Sequence, residues 1–170
     1  MFAPPPLADE AERQAVVDAL GILDTGFDPA FAELVELAAF VCHMPIAAMS
    51  LIDHDRQWFK STLGLDTDSI LGPGVLDIPR GLSFCGHTII GDTMVVNDTT
   101  HDDRFVDSPF VTGPPHVRFY AGTSITVDGH HVGTLCVMDT RPRTFLSDEQ
   151  RALAILGRQV GAQLRIHRPV

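Results

Sequence analysis

The sequence predicts an α+β domain built on a central antiparallel sheet, with helices at both ends of the chain. Three observations carry that expectation. Residues 117–127 and 131–138 are largely apolar runs on either side of Asp128-Gly129, a pair suited to a type I′ turn, whose two central positions need positive φ. Residues 46–52 and 57–63 form a second such pair around the polar stretch Asp53-His54-Asp55-Arg56. Apolar residues at helical spacing occupy both ends of the chain.

Taken in order, residues 1–8 are Pro-rich and read as a disordered lead-in, so a single domain is expected over 9–168. Asp9, with Glu12 three residues on, makes a capping-box pattern that opens a helix with Val16, Ala19, Leu20 and Leu23 on its apolar face. Asp24-Thr25-Gly26 breaks it. A second helix begins at Asp28-Pro29, where the missing Pro N–H costs nothing, and buries Phe31, Leu34, Val35, Ala38 and Val41 before Pro45 ends it. Residues 64–80 read as an ordered loop, 84–90 as a short helix and 94–96 as a short strand. Residues 97–115 are again loop, with one helical turn near 102–105.

In the last helix, Ser147 and Gln150 repeat the capping-box pattern, and Leu153, Leu156, Val160 and Leu164 follow on one face. Gly157 and Gly161 lie one turn apart, spacing that lets another helix approach closely. Leu135 and Val137 alternate with Cys136 and Met138, yet all four are apolar. That predicts a sheet covered on both faces, by the terminal helices on one side and the middle loops on the other.

Composition excludes several function classes. The net charge of −10 and the scattering of the twelve basic residues argue against nucleic acid, whose recognition needs clustered Lys and Arg. Cys42, Cys85 and Cys136 are an odd number without Cys-x-x-Cys spacing, so neither a disulfide framework nor a zinc site is expected. No basic, then apolar, start marks a signal peptide, and no apolar run nears the ~18 residues of a membrane span. The chain is expected to be soluble and cytoplasmic, with no membrane insertion. No Gly-rich phosphate loop, Ser-His-Asp set or catalytic carboxylate pair is recognisable, so neither catalytic nor metal-ligating residues are assigned.

Several motifs, in order, resemble GAF domains. They are 45–53 (Pro-Ile-Ala-Ala-Met-Ser-Leu-Ile-Asp), 55–61 around Trp58-Phe59, and Ser83-Phe84-Cys85-Gly86-His87. Asp103-Arg104-Phe105, 118–122 around Phe119-Tyr120, and 133–139 complete the set, which extends from about residue 12 to 164. The branch resembled is the bacterial sensory type found beside histidine kinases and cyclic di-GMP enzymes. The resemblance implies about six antiparallel strands, terminal helices packed on one face and a loop-lined pocket on the other. It also implies a homodimer through the terminal helices and a histidine kinase or cyclase output partner. The chain ends at Val170 without such an output sequence, so a stand-alone regulator or an excised sensor is expected.

The expected pocket groups the 79–87 segment with Arg104, Phe105, Arg118 and Tyr120 around a small-molecule ligand. Trp58, Phe59, Phe84 and Phe119 would supply walls, and Ser83, His87, Arg104 and Tyr120 the polar points. The structural alternative has these residues holding loops down, with Arg104 on Asp102 or a carbonyl and Arg118 in an ion pair. Cys85, two residues before His87, has the surroundings of a redox-active thiol. That supports an enzyme alternative resembling the free methionine sulfoxide reductases, although the strand that carries a pocket cysteine there reads Phe119-Tyr120-Ala121-Gly122 here. Cys42 and Cys136 read as small core hydrophobes.

No cofactor is required by this reading. Haem on His87 or a metal near His101-Asp102-Asp103 is a further alternative, and His130-His131 reads as exposed beside its turn. The cyclic-nucleotide signature of one GAF subset is incomplete, since Asn97-Asp98 and Phe105 lack its Lys and its closing Asp-Glu. A bilin on Cys85 lacks the phytochrome-type surroundings.

Overall fold

In this computed structural model residues 2–169 are described, so Met1, the first residue of the expected lead-in, lies outside the described residues. The chain runs α1 (Glu10–Leu20), α2 (Pro29–Cys42), β1 (Ile46–Ile52), β2 (Arg56–Leu63), α3 (Thr67–Leu71), β3 (Asp77–Pro79) and α4 (Phe84–Thr88). Then follow β4 (Thr93–Val96), α5 (Pro109–Thr112), β5 (Phe119–Val127), β6 (His130–Asp139) and α6 (Ser147–His167), with 3-10 turns at Arg80–Leu82 and Thr99–His101. The six strands form one sheet in the order β3-β2-β1-β6-β5-β4, with every neighbouring pair antiparallel. The two hairpins form as expected. Asp128 (φ 51°) and Gly129 (φ 79°) both take the left-handed conformation that their turn demands.

Strand parity divides the sheet. Ala47, Met49, Leu51, Trp58, Phe119, Ala121, Leu135 and Val137 face the layer made by α1, α2 and α6, in one large apolar cluster with Phe31, Val35 and Val160. Ala48, Phe59, Tyr120, Cys136 and Met138 face the other way, under α4 and the middle segments, in a second cluster with Phe84, Ile89 and Phe105. Burial on both faces explains the absence of polar alternation in β6.

Several local expectations shift. The inward face of α1 is Arg13, Val17 and Leu20, while Ala19 is exposed, and Gly21 in the left-handed conformation ends the helix. Arg13 is fully buried because its guanidinium is satisfied: Nη1 donates to the Ile52 carbonyl at 2.7 Å and the Glu10 carboxylate pairs with Nη2 at 3.0 Å. A reading that looks for apolar residues alone misplaces such a face. Asp9 occupies the N-cap but meets His130 Nδ1 at 2.7 Å instead of capping; His130 and His131 are correspondingly half-buried. At α6 the carboxylate that returns to the N-cap is Glu149, accepting from the Leu146 N–H at 3.0 Å, and Ser147 and Gln150 lie inside the helix.

Gly157 and Gly161 face the protein's own sheet. A Cβ at Gly157 would lie 2.6 Å from Thr123 Cγ2, and one at Gly161 2.9 Å from the Thr126 carbonyl oxygen. These glycines let α6 lie close on β5, so they are not a docking notch for a second helix. The expected loop over 64–80 contains α3, capped by Asp66, and β3, which extends the sheet beyond β2. The 97–115 stretch contains the Thr99–His101 turn and α5, where Ser108 caps and Pro109 opens the helix.

Residues 2–8 carry no helix or strand and lie against the α4 side. The Phe2 N–H donates to the Arg104 carbonyl at 3.3 Å, and Leu7 packs on the second cluster.

Candidate functional site

The site grows from strand parity. On the face away from the helices, β2 presents Gln57 and Phe59, β1 presents Ser50, β6 presents Thr134, Cys136 and Met138, and β5 presents Tyr120. Helix α4 lies across them. Ser83 starts it by accepting from the Gly86 N–H at 2.9 Å and donating to the Arg80 carbonyl at 2.9 Å. Phe84 then stacks between Phe105, 4.4 Å away, and Tyr120, 5.2 Å away. A Cβ at Gly122 would collide with the Tyr120 hydroxyl, so glycine there lets the tyrosine fold back over its own strand.

Between α4, the sheet and the 65–71 segment lies an apolar cavity of about 50 Å³. Phe59, Ile78, Phe84, Tyr120 and Met138 make much of its wall, and Leu71 and Phe110 its cover. Gln57, Cys85, Cys136 and the Tyr120 hydroxyl are the polar groups near it, and no charged side chain lines it.

Of the ten residues expected around a ligand, Phe59, Phe84, Cys85 and Tyr120 line this cavity. Trp58 and Phe119 belong to the helical layer instead, because each sits one residue out of phase with a cavity-facing neighbour. Phe105 packs behind Phe84, and Ser83 is occupied in capping. His87 stands edge-on to Phe105 at 5.0 Å, with Nε2 2.8 Å from the Phe2 carbonyl, and burial lowers its pKa. Arg104 is held by Asp102 through two contacts of 3.0 and 2.7 Å, lying over the Phe105 ring. Arg118 donates to the Val111 carbonyl at 2.8 Å, tying α5 to the sheet rather than making an ion pair. For both arginines the local, structural role is the one observed.

Gln57, Cys136 and Met138 are cavity residues that the motifs did not single out. Their signal was available in parity, since they share a sheet face with Phe59 and Tyr120. Ile70, Leu71 and Phe110 had none, because their placement depends on how the loops fold back. Among the described residues no group of three or more His, Cys, Asp or Glu is placed to hold a metal ion, and no helix is long and apolar enough to cross a membrane.

The family model for the GAF domain matches residues 26–164. A cyclic di-GMP phosphodiesterase of Pseudomonas aeruginosa is 42% identical over 155 residues, covering 90% of this chain, and the chain spans 25% of that relative's length. The GAF domain of a phosphoenolpyruvate-protein phosphotransferase from Coxiella burnetii superposes with TM-score 0.70 at 14% identity, over 94% of this chain and 95% of its own. A free methionine-R-sulfoxide reductase from Neisseria meningitidis reaches 0.64 at 16% identity, over 99% and 97%. At such identities the last two similarities speak for the fold. The six-stranded sheet, the two-sided core and the matched motifs together place this chain in the GAF domain family, a family of sensory and regulatory domains.

Proposed function

We propose that this chain is the sensory part of a cyclic di-GMP signalling system, binding a small molecule in the cavity and passing the change through α1, α2 and α6 to an output domain. The observation that carries this is the cavity itself: a preformed apolar site with a few convergent polar groups, on the face opposite the helices that would transmit. The cyclic di-GMP context rests on the Pseudomonas relative, three quarters of whose length lies outside this chain's match. The ligand is uncharged or weakly polar, because a cyclic nucleotide's phosphate would enter a wall without a compensating cation. Water-sized molecules need ~10–15 Å³ each, so the site holds a few of them as it stands. A larger ligand requires the cover over residues 64–76 to move.

The domain is read as regulatory and cytoplasmic rather than as an enzyme. The outer faces of α2 and α6 expose Leu37, Phe40, Ile155 and Ile166, and a homodimer through these helices would cover them. A thermal-shift screen of small uncharged metabolites tests the pocket. A true ligand raises Tm for the parent protein and not for Met138→Trp, which fills the cavity. A ligand that stabilises both equally binds elsewhere, and a screen without any response removes the reading. Native mass spectrometry of Phe40→Glu tests the dimer, which should dissociate.

A further inference from the structure

The three cysteines are all buried but occupy different chemistry. Cys42 sits between α2 and α6 with its thiol 3.7 Å from the Glu149 carbonyl, and burial together with the Glu149 carboxylate pushes it up to about 11. Cys85 and Cys136 instead line the cavity, one from α4 and one from β6, and the Tyr120 hydroxyl that meets Cys85 Sγ lies over Gly122, the strand partner of Cys136. Beneath them is a buried polar cluster. Gln57 Nε2 donates to Ser50 Oγ at 3.0 Å, and Ser50 Oγ lies 3.3 Å from Thr134 Oγ1. The Tyr120 hydroxyl is 3.2 Å from Cys85 Sγ and 2.8 Å from Thr88 Oγ1.

We propose that Cys85 and Cys136 are a hydroperoxide-responsive dithiol, in which a peroxide small enough for the cavity oxidises Cys85 and Cys136 then closes a disulfide tying α4 to β6. The site is the same cavity as above, but the proposal rests on the thiol pair and not on a bound metabolite. Three features support the proposal. The first is the environment of Cys85: burial alone would raise its pKa, and hydrogen bonds from Cys136, Thr134, Tyr120 and Ser50 outweigh this and bring it down. Cys136, through its hydrogen bond to Cys85 and its burial, is driven the other way and keeps its proton. Cys85 is therefore the attacking sulfur and Cys136 the resolving one. The third feature is size: room for a few water-sized molecules admits hydrogen peroxide and not a bulky oxidant.

The chemistry balances with the peroxide as the only oxidant. The Cys85 thiolate attacks one peroxide oxygen, the O–O bond breaks, and hydroxide leaves, taking a proton to become water; the sulfur is now a sulfenic acid. The Cys136 thiol attacks that sulfur, the S–O bond breaks as S–S forms, and the departing hydroxide leaves as water with the Cys136 proton. Two thiols lose two electrons and two protons, and one hydrogen peroxide becomes two waters. Tyr120 is a positioning residue: its hydroxyl holds the thiolate, and Gly122 makes room for it.

The test exposes the protein, without added metabolite, to one equivalent of hydrogen peroxide and then alkylates it under denaturing conditions for peptide mass spectrometry. The expected product is a Cys85–Cys136 linked peptide with Cys42 alkylated, Cys85 reacting at least ~10-fold faster than Cys42. In C136S, dimedone should trap sulfenic acid at Cys85, and Y120F should slow the Cys85 reaction while leaving the Cys42 rate unchanged. Oxidation spread evenly over the three cysteines, or Cys85 and Cys136 both remaining alkylatable, would overturn the proposal. The parent protein alone decides, so a variant that fails to fold does not rescue it. A negative result here leaves the metabolite screen untouched, and an empty screen leaves this result untouched.

Discussion

The two faces of the sheet are built differently. The helical face is a continuous apolar cluster in which three helices of 11, 14 and 21 residues cover the strands and in which Val17, Phe31, Leu135 and Val160 are fully buried. The opposite face is covered by helices of only four or five residues and by turns. It buries Ser50, Gln57 and Thr134 beneath an incompletely filled cavity. Long helices satisfy their own backbone groups and free their side chains for close packing. Short ones spend polar side chains on caps and leave gaps. The lesson is a division of labour: one face supplies stability, and the other keeps room for something to happen.

The sharpest way to break this comparison is to disturb the packing of each face. Phe31→Ala should cost about 3–5 kcal/mol in urea unfolding, since its ring is fully buried among the helices. Gly161→Leu should cost about 1–3 kcal/mol by driving a side chain into the Thr126 carbonyl, with the oligomeric mass of the folded fraction unchanged. A change of mass without loss of stability would restore the glycine pair as a dimer contact. On the other face, Met138→Trp should cost less than about 1 kcal/mol, because the cavity accepts much of the added volume. If it costs as much as Phe31→Ala, the two faces do not differ as described.

The smallest expected effect is at the seam, where Glu10 joins Arg13 of the helical layer to Arg80 beside the pocket, with 2.6 Å to Arg80 Nη1. Burial alone would raise the Glu10 pKa, but the hydrogen bonds from Arg80 and Arg13 lower it from 4.5 to about 2. Its contribution to stability is therefore complete above pH 4.5 and fades as pH falls from there toward 2. Glu10→Gln should remove no more than about 1 kcal/mol at neutral pH, and should flatten that acid limb of the urea-midpoint profile.

How much of this was readable beforehand varied with distance along the chain. The β5–β6 hairpin was legible to within two residues, because Asp128-Gly129 and its flanking runs are local signals. The capping at α1 and α6 was not, because Asp9 at the α1 N-cap is drawn away to His130, 121 residues on, and at α6 it is Glu149 rather than Gln150 that returns to the N-cap. Four cavity residues were found from motifs; Trp58 and Phe119 were misplaced for want of the sheet's facing, which one strand cannot reveal.

The sequence by itself determined the α+β class, the two hairpins, the terminal helices and the two-sided burial of the sheet, since each follows from local periods of two and about four residues; the GAF family came from the resemblance of its motifs. Tertiary structure alone decided which side of each strand meets the cavity, that Arg13 is core, that Gly157 and Gly161 serve α6 against β5, and that Cys85 and Cys136 line one cavity. Those contacts join residues up to 118 positions apart, and no local pattern encodes the packing that brings them together.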